Sequence, residues 1–286
     1  MMDAATMLRT RMRIVSWNMN HWARSSAQRT EAWRYLRDVL RADLALVQES
    51  FPPVELAQCF RPIDASSSGA GRGSAVVALR ADLRLRPRLR WPLSFPRRAD
   101  ELPDSYPGTS AVADVLDGDG RLLFTAVSLY ARFERVASGE IYACAPFHRT
   151  LSDLTAVLDT SRSSTPVLVA GDFNLSTQAV ADGTTKVDRD SARAAFARLR
   201  AFGLQSCFEA PRFRPPPLVG CSCDEGDACH HVRTHRNQNR VESRPTQLDY
   251  AWATQSLLAR LSEFQVVNDD AAWALSDHCP LLFELP

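Results

Sequence analysis

The chain has 286 residues, 45% hydrophobic and 23% charged, the proportions of a folded globular protein with ample core. Collagen, coiled coil and wholesale disorder are excluded. Its 34 basic and 33 acidic residues leave a net charge of +1, so the molecule as a whole does not draw in polyanions.

Short apolar runs alternate with amphipathic segments along the chain. Residues 13–17 read as a strand that stops at Asn18, and residues 28–41 set Trp33, Leu36 and Leu40 at helical spacing. Residues 44–48 read as a strand ending at Glu49, and residues 74–79 as a third strand after a Gly-rich turn at 69–73. The seven arginines between 80 and 98 alternate partly with Leu83, Leu85 and Leu89. That alternation predicts a strand with one basic face, either simply solvated or tracking phosphates. Residues 111–116 and 122–129 flank an Asp-Gly turn and predict a hairpin. Phe147, Leu151, Leu154 and Leu158 mark a helix, residues 167–170 a strand, and Phe196, Leu199 and Phe202 another helix. Strands at 247–253 and 281–285 follow. With no repeat and no long linker, one α/β domain over residues 1–286 is expected, carrying an insertion at 211–246 that has almost no apolar periodicity.

No apolar run is long enough to span a bilayer, and residues 1–17 lack the apolar segment of a secretory signal. The expectation is a cytoplasmic, monomeric protein with no membrane partner. Lys186 is the one lysine among the 34 basic residues. A biased base composition would produce that excess of arginine, and so would a need for planar phosphate-binding forks.

Polar residues cluster at predicted strand ends: Asn18, Glu49, Asp172 with Asn174, Asp249, and Asp277 with His278. Each alone fits a turn residue or helix cap. Together they offer hard oxygen ligands for Mg²⁺ or Mn²⁺ and an Asp–His pair that titrates near neutrality, the set needed for metal-assisted phosphoester hydrolysis.

The stretches Ser16-Trp17-Asn18, Val47-Gln48-Glu49, Ser128-Leu129-Tyr130, Gly171-Asp172-Phe173-Asn174, Leu248-Asp249-Tyr250 and Ser276-Asp277-His278-Cys279-Pro280 resemble, in order and over nearly the whole chain, the endonuclease/exonuclease/phosphatase superfamily. That resemblance implies an α/β (α+β) four-layer sandwich, two mixed β-sheets packed face to face with flanking helices, as in DNase I-like proteins. It implies that Glu49 is the main Mg²⁺ ligand, with Asn18 and Asp277 completing the site. Asp172 would orient or deprotonate the attacking water, and Asn174 and Tyr130 would bond the scissile phosphate. His278, held by Asp249, would stabilise charge on the phosphoryl oxygens, although an Asp-held neutral histidine is also a physically sound base. The segment Ser128-Leu129-Tyr130-Ala131-Arg132 has no histidine, which argues against a mechanism with two histidines, and it lacks the Asn-x-Tyr often found in AP endonucleases.

The insertion lies outside that pattern. Cys221, Cys223 and Cys229, with a histidine from His230, His231 or His235, form a candidate structural zinc site. Arg233, Arg236, Arg240 and Arg244 in the insertion, and Arg132 near Tyr130, are candidate phosphate contacts. The leading expectation is a Mg²⁺-dependent nuclease. A phosphatase or phospholipase-type enzyme on inositol phosphates or sphingomyelin is the enzymatic alternative, and a non-catalytic nucleic-acid-binding module is the alternative outside enzymes.

Overall fold

The computed structural model describes residues 11–51, 61–63, 73–88, 90–91, 102–132, 134–135, 141–142, 144–159, 164–178, 186–213, 215, 218–221, 223, 229–236 and 246–286. Two six-stranded mixed sheets dominate it. The first runs Glu263–Val266, Leu281–Leu285, Met12–Asn18, Leu44–Gln48, Ser74–Ala78, Arg61–Ile63. The second runs Leu204–Ser206, Asp249–Thr254, Val167–Asp172, Leu122–Tyr130, Ser110–Leu116, Arg84–Pro87. Their central strands are near-continuous apolar runs because both faces of each sheet are covered.

The inner faces meet in one core. Ile14, Leu46, Val76 and Phe283 from the first sheet interleave with Ala113, Phe124, Ala126, Ala170 and Ala251 from the second. Large residues opposing alanines let the two sheets approach and interdigitate. The outer face of the second sheet, including Val127, Val169 and Trp252, is covered by helices Cys144–Asp153 and Lys186–Ala201 through Phe147, Leu151, Phe196 and Leu199. The outer face of the first sheet, including Val15, Trp17 and Val47, packs on Trp33, Leu36, Ala272 and Leu275. The layers are therefore helix, sheet, sheet, helix, as the resemblance implied.

The predicted helix at 28–41 starts at Ser26, where Ser25 and Gln28 form a reciprocal capping box. It runs as an α-helix only to Arg34 and widens into a π-helix over Tyr35–Val39 capped by Leu40, after which Arg41, with a φ of 52°, leaves helical space. The hairpin forms as predicted, Asp117 accepting from the backbone N–H groups of Asp119 and Arg121. The long basic strand does not form. Arg84–Pro87 lies on the second sheet's edge, and Arg90–Trp91 pairs separately with Leu102–Pro103. Pro87 has no N–H for the ladder. Its basic face is also partly neutralised, because Arg86 and Arg88 both engage the buried Asp114, at 2.7 and 3.1 Å. Arg97 and Arg98 lie outside the described residues. Among those described, no helix is long and apolar enough to cross a membrane.

Candidate active site

Register carries the strand-end residues to one place. Met12–Asn18 pairs in parallel with Leu44–Gln48, setting Asn18 beside Gln48, with Glu49 next along the chain. In the other sheet Val167–Asp172 pairs in parallel with Leu122–Tyr130 and antiparallel with Asp249–Thr254, so Asp172 lies between Tyr130 and Asp249. Both sheets therefore end at the same edge of the sandwich. Gly171 makes the last step possible. Any Cβ at this position would collide with the Leu129 carbonyl oxygen and would lie 3.0 Å from Gln48 Nε2. Three of the four described non-glycine residues with positive φ are Asn20 (45°), Glu49 (47°) and Asn174 (48°), all at this edge. Backbone held in that sparsely populated region, away from ordinary turns, clusters at functional sites.

The side chains form one hydrogen-bonded array. Asp172 accepts from Asn18 Nδ2 at 2.9 Å, from Asn174 Nδ2 at 3.1 Å and from the Asn174 backbone N–H at 2.9 Å. Asn174 also donates to the Ala131 carbonyl. His278 Nδ1 meets Asp249 Oδ2 at 2.8 Å, and its Nε2 faces Asp172 Oδ2 at 4.0 Å. Two backbone-directed bonds fix the imidazole: Trp17 Nε1 donates to the His278 carbonyl, and Ser276 Oγ accepts from the His278 N–H while donating to the Asn18 carbonyl. Thr234 Oγ1 accepts from the N–H groups of both Leu248 and Asp249, holding the carboxylate that holds the histidine.

Electrostatics separate the roles of these groups. Burial alone would push His278 down, but the carboxylates of Asp249, Asp172 and Asp277 lift it to about 10, so it is an imidazolium at neutral pH. Burial pushes Asp172 up to about 7, with Asp249 and Glu49 adding to the rise and His278 opposing it. Burial also raises Glu49, with Asp277 adding to the lift, against His278 and hydrogen bonds from Asn18 and Tyr130.

Sequence placed Asn18 as an oxygen ligand. The structure turns its amide nitrogen toward Asp172 and Glu49 (2.9 and 3.4 Å), while its oxygen accepts from the Asn20 N–H. In this orientation Asn18 bridges two carboxylates as a donor. Tyr130 likewise faces Glu49 with its hydroxyl. Asp277 accepts from Asn20 Nδ2 at 2.7 Å. Asn20 was missed, although its i+2 spacing from Asn18 was available as a signal. Gln48, fully buried, donates to Ser128 Oγ and leaves Oε1 without a partner among the described residues.

His235 requires a correction. It was a candidate zinc ligand, but it lies against His278, ring centroids 4.8 Å apart, with its Nδ1 at 3.3 Å from Thr246 Oγ1. Burial, then the charge on His278, hold it down to about 3, so it is neutral. The backbone around it docks beside the last strand: Arg236 N–H donates to the Asp277 carbonyl and Cys279 N–H to the Thr234 carbonyl. Part of the insertion thus lies directly behind His278. The predicted phosphate contacts divide. Arg132 is exposed beside Ala131, whose N–H donates to the Asp172 carbonyl. Arg233 and Arg236 instead place their guanidinium groups over the Trp273 ring, at 5.4 and 5.0 Å. Arg240 and Arg244 lie outside the described residues.

Two groups of described residues bring metal-ligating atoms within 4.8 Å of one another: Asp172, Asp249 and His278, and separately Cys221, Cys223, Cys229 and His231. In the first group the His278–Asp249 bond already occupies both partners. Glu49 and Asp277 belong to neither group, but they are near enough for the charge of Asp277 to raise Glu49, and both are carboxylates of the kind that could hold a hard cation.

A family model described as Endonuclease/Exonuclease/phosphatase family matches residues 15–278. A search of curated protein sequences returned no match. Among solved structures, an AP endonuclease from Archaeoglobus fulgidus superposes with a TM-score of 0.64 at 17% identity, covering 95% of this chain and 98% of its own. The AP endonuclease LMAP from Leishmania major gives 0.63 at 14% identity, covering 96% and 87%. The endonuclease domain of TRAS1, a telomere-specific non-LTR retrotransposon, gives 0.55 at 17%, covering 96% and 98%. At these identities the likeness is one of fold.

Proposed function

The chain belongs to the Endonuclease/Exonuclease/phosphatase family, and from that premise we propose that it is a divalent-metal-dependent phosphodiesterase acting on nucleic acid. The observation that carries this reading is the buried line Asp249–His278–Asp172, which holds a charged imidazolium 4.0 Å from a carboxylate that two asparagines keep in place. Glu49 and Asp277 would hold Mg²⁺ or Mn²⁺, with Asn18 fixing the spacing of Glu49 and Asp172. When bound, such an ion supplies Lewis-acid polarisation of the phosphoryl oxygens.

The remaining steps belong to the chain's own groups. Asp172, raised toward neutrality, orients a water and takes its proton as the water oxygen bonds to phosphorus. The P–O bond to the leaving nucleotide oxygen breaks, and that oxygen takes up a proton from solvent. His278 is already protonated and therefore acts by placing positive charge and an Nε2–H donor where negative charge builds on the phosphoryl oxygens. Asp249 keeps it charged and oriented. Asn174 positions Asp172, and Tyr130 steadies Glu49. Arg132 at the exposed rim offers a fork to a neighbouring phosphate. A nucleic-acid substrate is further supported by the three solved structures named above, each of which is an endonuclease or AP endonuclease.

The test is a substrate panel of DNA and RNA oligonucleotides beside inositol polyphosphates and sphingomyelin. Cleavage of an oligonucleotide is expected with Mg²⁺ or Mn²⁺, abolished by EDTA and restored by adding the ion back. Turnover that persists in excess EDTA, or phosphate release from inositol phosphates with no nuclease activity, would overturn this reading.

A further inference from the structure

We propose that Cys221, Cys223, Cys229 and His231 bind one structural zinc ion, chemically distinct from the oxygen-ligated cation of the active site. All four ligand atoms lie within 4.8 Å of one another. His231 Nδ1 is 3.6 Å from Cys221 Sγ and 3.5 Å from Cys229 Sγ. A tetrahedral zinc with bonds of about 2.3 Å to sulfur and about 2.0–2.1 Å to nitrogen has S···N edges of about 3.5–3.6 Å. The observed separations match both edges.

The surrounding bonds orient these ligands as a zinc site requires. His231 Nε2 lies 2.7 Å from Thr177 Oγ1, so the tautomer that donates its ring proton to Thr177 leaves the Nδ1 lone pair facing the sulfurs. Gln178 Nε2 donates to Cys221 Sγ at 3.4 Å, the kind of N–H···S contact that steadies a thiolate ligand. Cys221, Cys223 and Cys229 are all free of disulfides. Three thiolates and a neutral imidazole are a soft donor set that selects zinc over the hard cation suited to Glu49 and Asp277. His230, the neighbouring candidate, is not part of the cluster, and its Nδ1 is buried without a partner among the described residues.

The position of the cluster gives the ion a structural task. It ties Cys221 and His231, and through them Gln178 and Thr177, a few residues beyond Asn174, into one knot. Gln178 Oε1 accepts from the Gln247 N–H, and Gln247 Oε1 accepts from the Val232 N–H, so the knot continues into the segment that carries Thr234 and His235. That segment has little apolar side chain of its own, and metal binding supplies the order that a core otherwise would.

Protein purified without added metal should contain about one zinc per chain, the stoichiometry of a four-ligand structural site. Native mass spectrometry should show Cys221, Cys223 and Cys229 protected from alkylation until zinc is removed. Cobalt substitution should give the absorption of a tetrahedral thiolate site. Cys229→Ser and His231→Ala should lose the zinc, His231→Cys should retain it, and Glu49→Gln should retain it in full. The wild-type measurements stand even if a cysteine variant fails to fold. Metal-free protein whose three thiols alkylate freely in the folded state would overturn the proposal. So would zinc that survives Cys229→Ser but is lost in Glu49→Gln, because the ion would then belong to the carboxylates.

Discussion

Replacing Asp172 by asparagine separates folding from chemistry, because the two costs differ in size. The carboxylate accepts three hydrogen bonds, two at Oδ2 from Asn18 and Asn174 side chains and one at Oδ1 from the Asn174 backbone. An amide can turn its oxygen to the two side-chain donors, but its NH₂ then faces the Asn174 N–H and one bond is lost. Leaving a buried donor unpaired costs about 1–3 kcal/mol. Removing the buried charge offsets part of that cost, since burial is the first reason Asp172 is displaced upward. A net loss near 1 kcal/mol leaves a domain with the usual stability of about 5–15 kcal/mol folded. The chemical step loses its proton acceptor, for which about a 10²–10⁴-fold fall in kcat is expected, about 3–5 kcal/mol of barrier. The measurement is kcat on an oligonucleotide with Mg²⁺, alongside a urea melt of the same preparation. If Asp172→Asn melts near the wild-type midpoint and turns over within about tenfold of wild type, Asp172 does not take the proton.

Two further substitutions test how the scaffold holds the site. Gly171→Ala introduces a Cβ that collides with the Leu129 carbonyl oxygen at a φ of 150°, and backbone rather than a flexible side chain must give way. A loss of about 1–3 kcal/mol in the urea midpoint analysis is expected, from overpacking of a tightly packed interior, and an unchanged midpoint would remove the packing argument for this glycine. Asp114→Ala removes a fully buried carboxylate that serves Arg86, Arg88 and Thr125. The arginine side chains are 61% and 31% exposed, so both can turn to water, and the expected cost is about 1–2 kcal/mol, mainly the Thr125 hydroxyl left unpaired. A loss above about 3 kcal/mol would mean that the ion pairs themselves are strongly stabilising.

The fold was legible where burial leaves a simple signature. Strands covered on both faces read as unbroken apolar runs, and Met12–Asn18, Leu44–Gln48, Val167–Asp172 and Leu281–Leu285 appear within a residue or two of their predicted limits. Glu263–Val266 and Leu204–Ser206 were missed because they are short edge strands with mixed exposure and too few residues to show a period. Helix Asp270–Leu275 is a single capped turn and a half, held by Asp269 rather than by a periodic apolar face. In the site, Asn18, Glu49, Asp172, Asn174, Asp249 and His278 were legible because each ends or flanks a strand whose apolar run makes the end visible. Thr234, His235 and Gln48 were not, because their partners are chosen by register between distant segments. A Cys/His-rich stretch can announce soft ligands, yet its sequence cannot say that His231 turns to the sulfurs while His235 turns to His278.

The arginines show why composition alone was ambiguous. A planar fork is valued for phosphate, but the same fork binds carboxylates and stacks on rings. Arg13 engages Glu284, Arg80 engages Asp43 and Asp82, and Arg86 and Arg88 divide the two oxygens of Asp114 between them. Arg200 pairs with Glu209 and lies 5.3 Å over Trp252, and Arg233 and Arg236 share Trp273. These arginines are committed to the protein's own acids and rings, each contact worth on the order of 1 kcal/mol or less in water. With a net charge of +1, long-range steering is weak. A phosphodiester substrate, as proposed, would then have to be met by charge gathered locally. Under the proposed function that charge is a divalent ion held by Glu49 and Asp277, Arg132 at the exposed rim, and the His278 imidazolium. Burial makes it effective, because an imidazolium removed from water and already oriented needs no reorganisation when negative charge develops beside it.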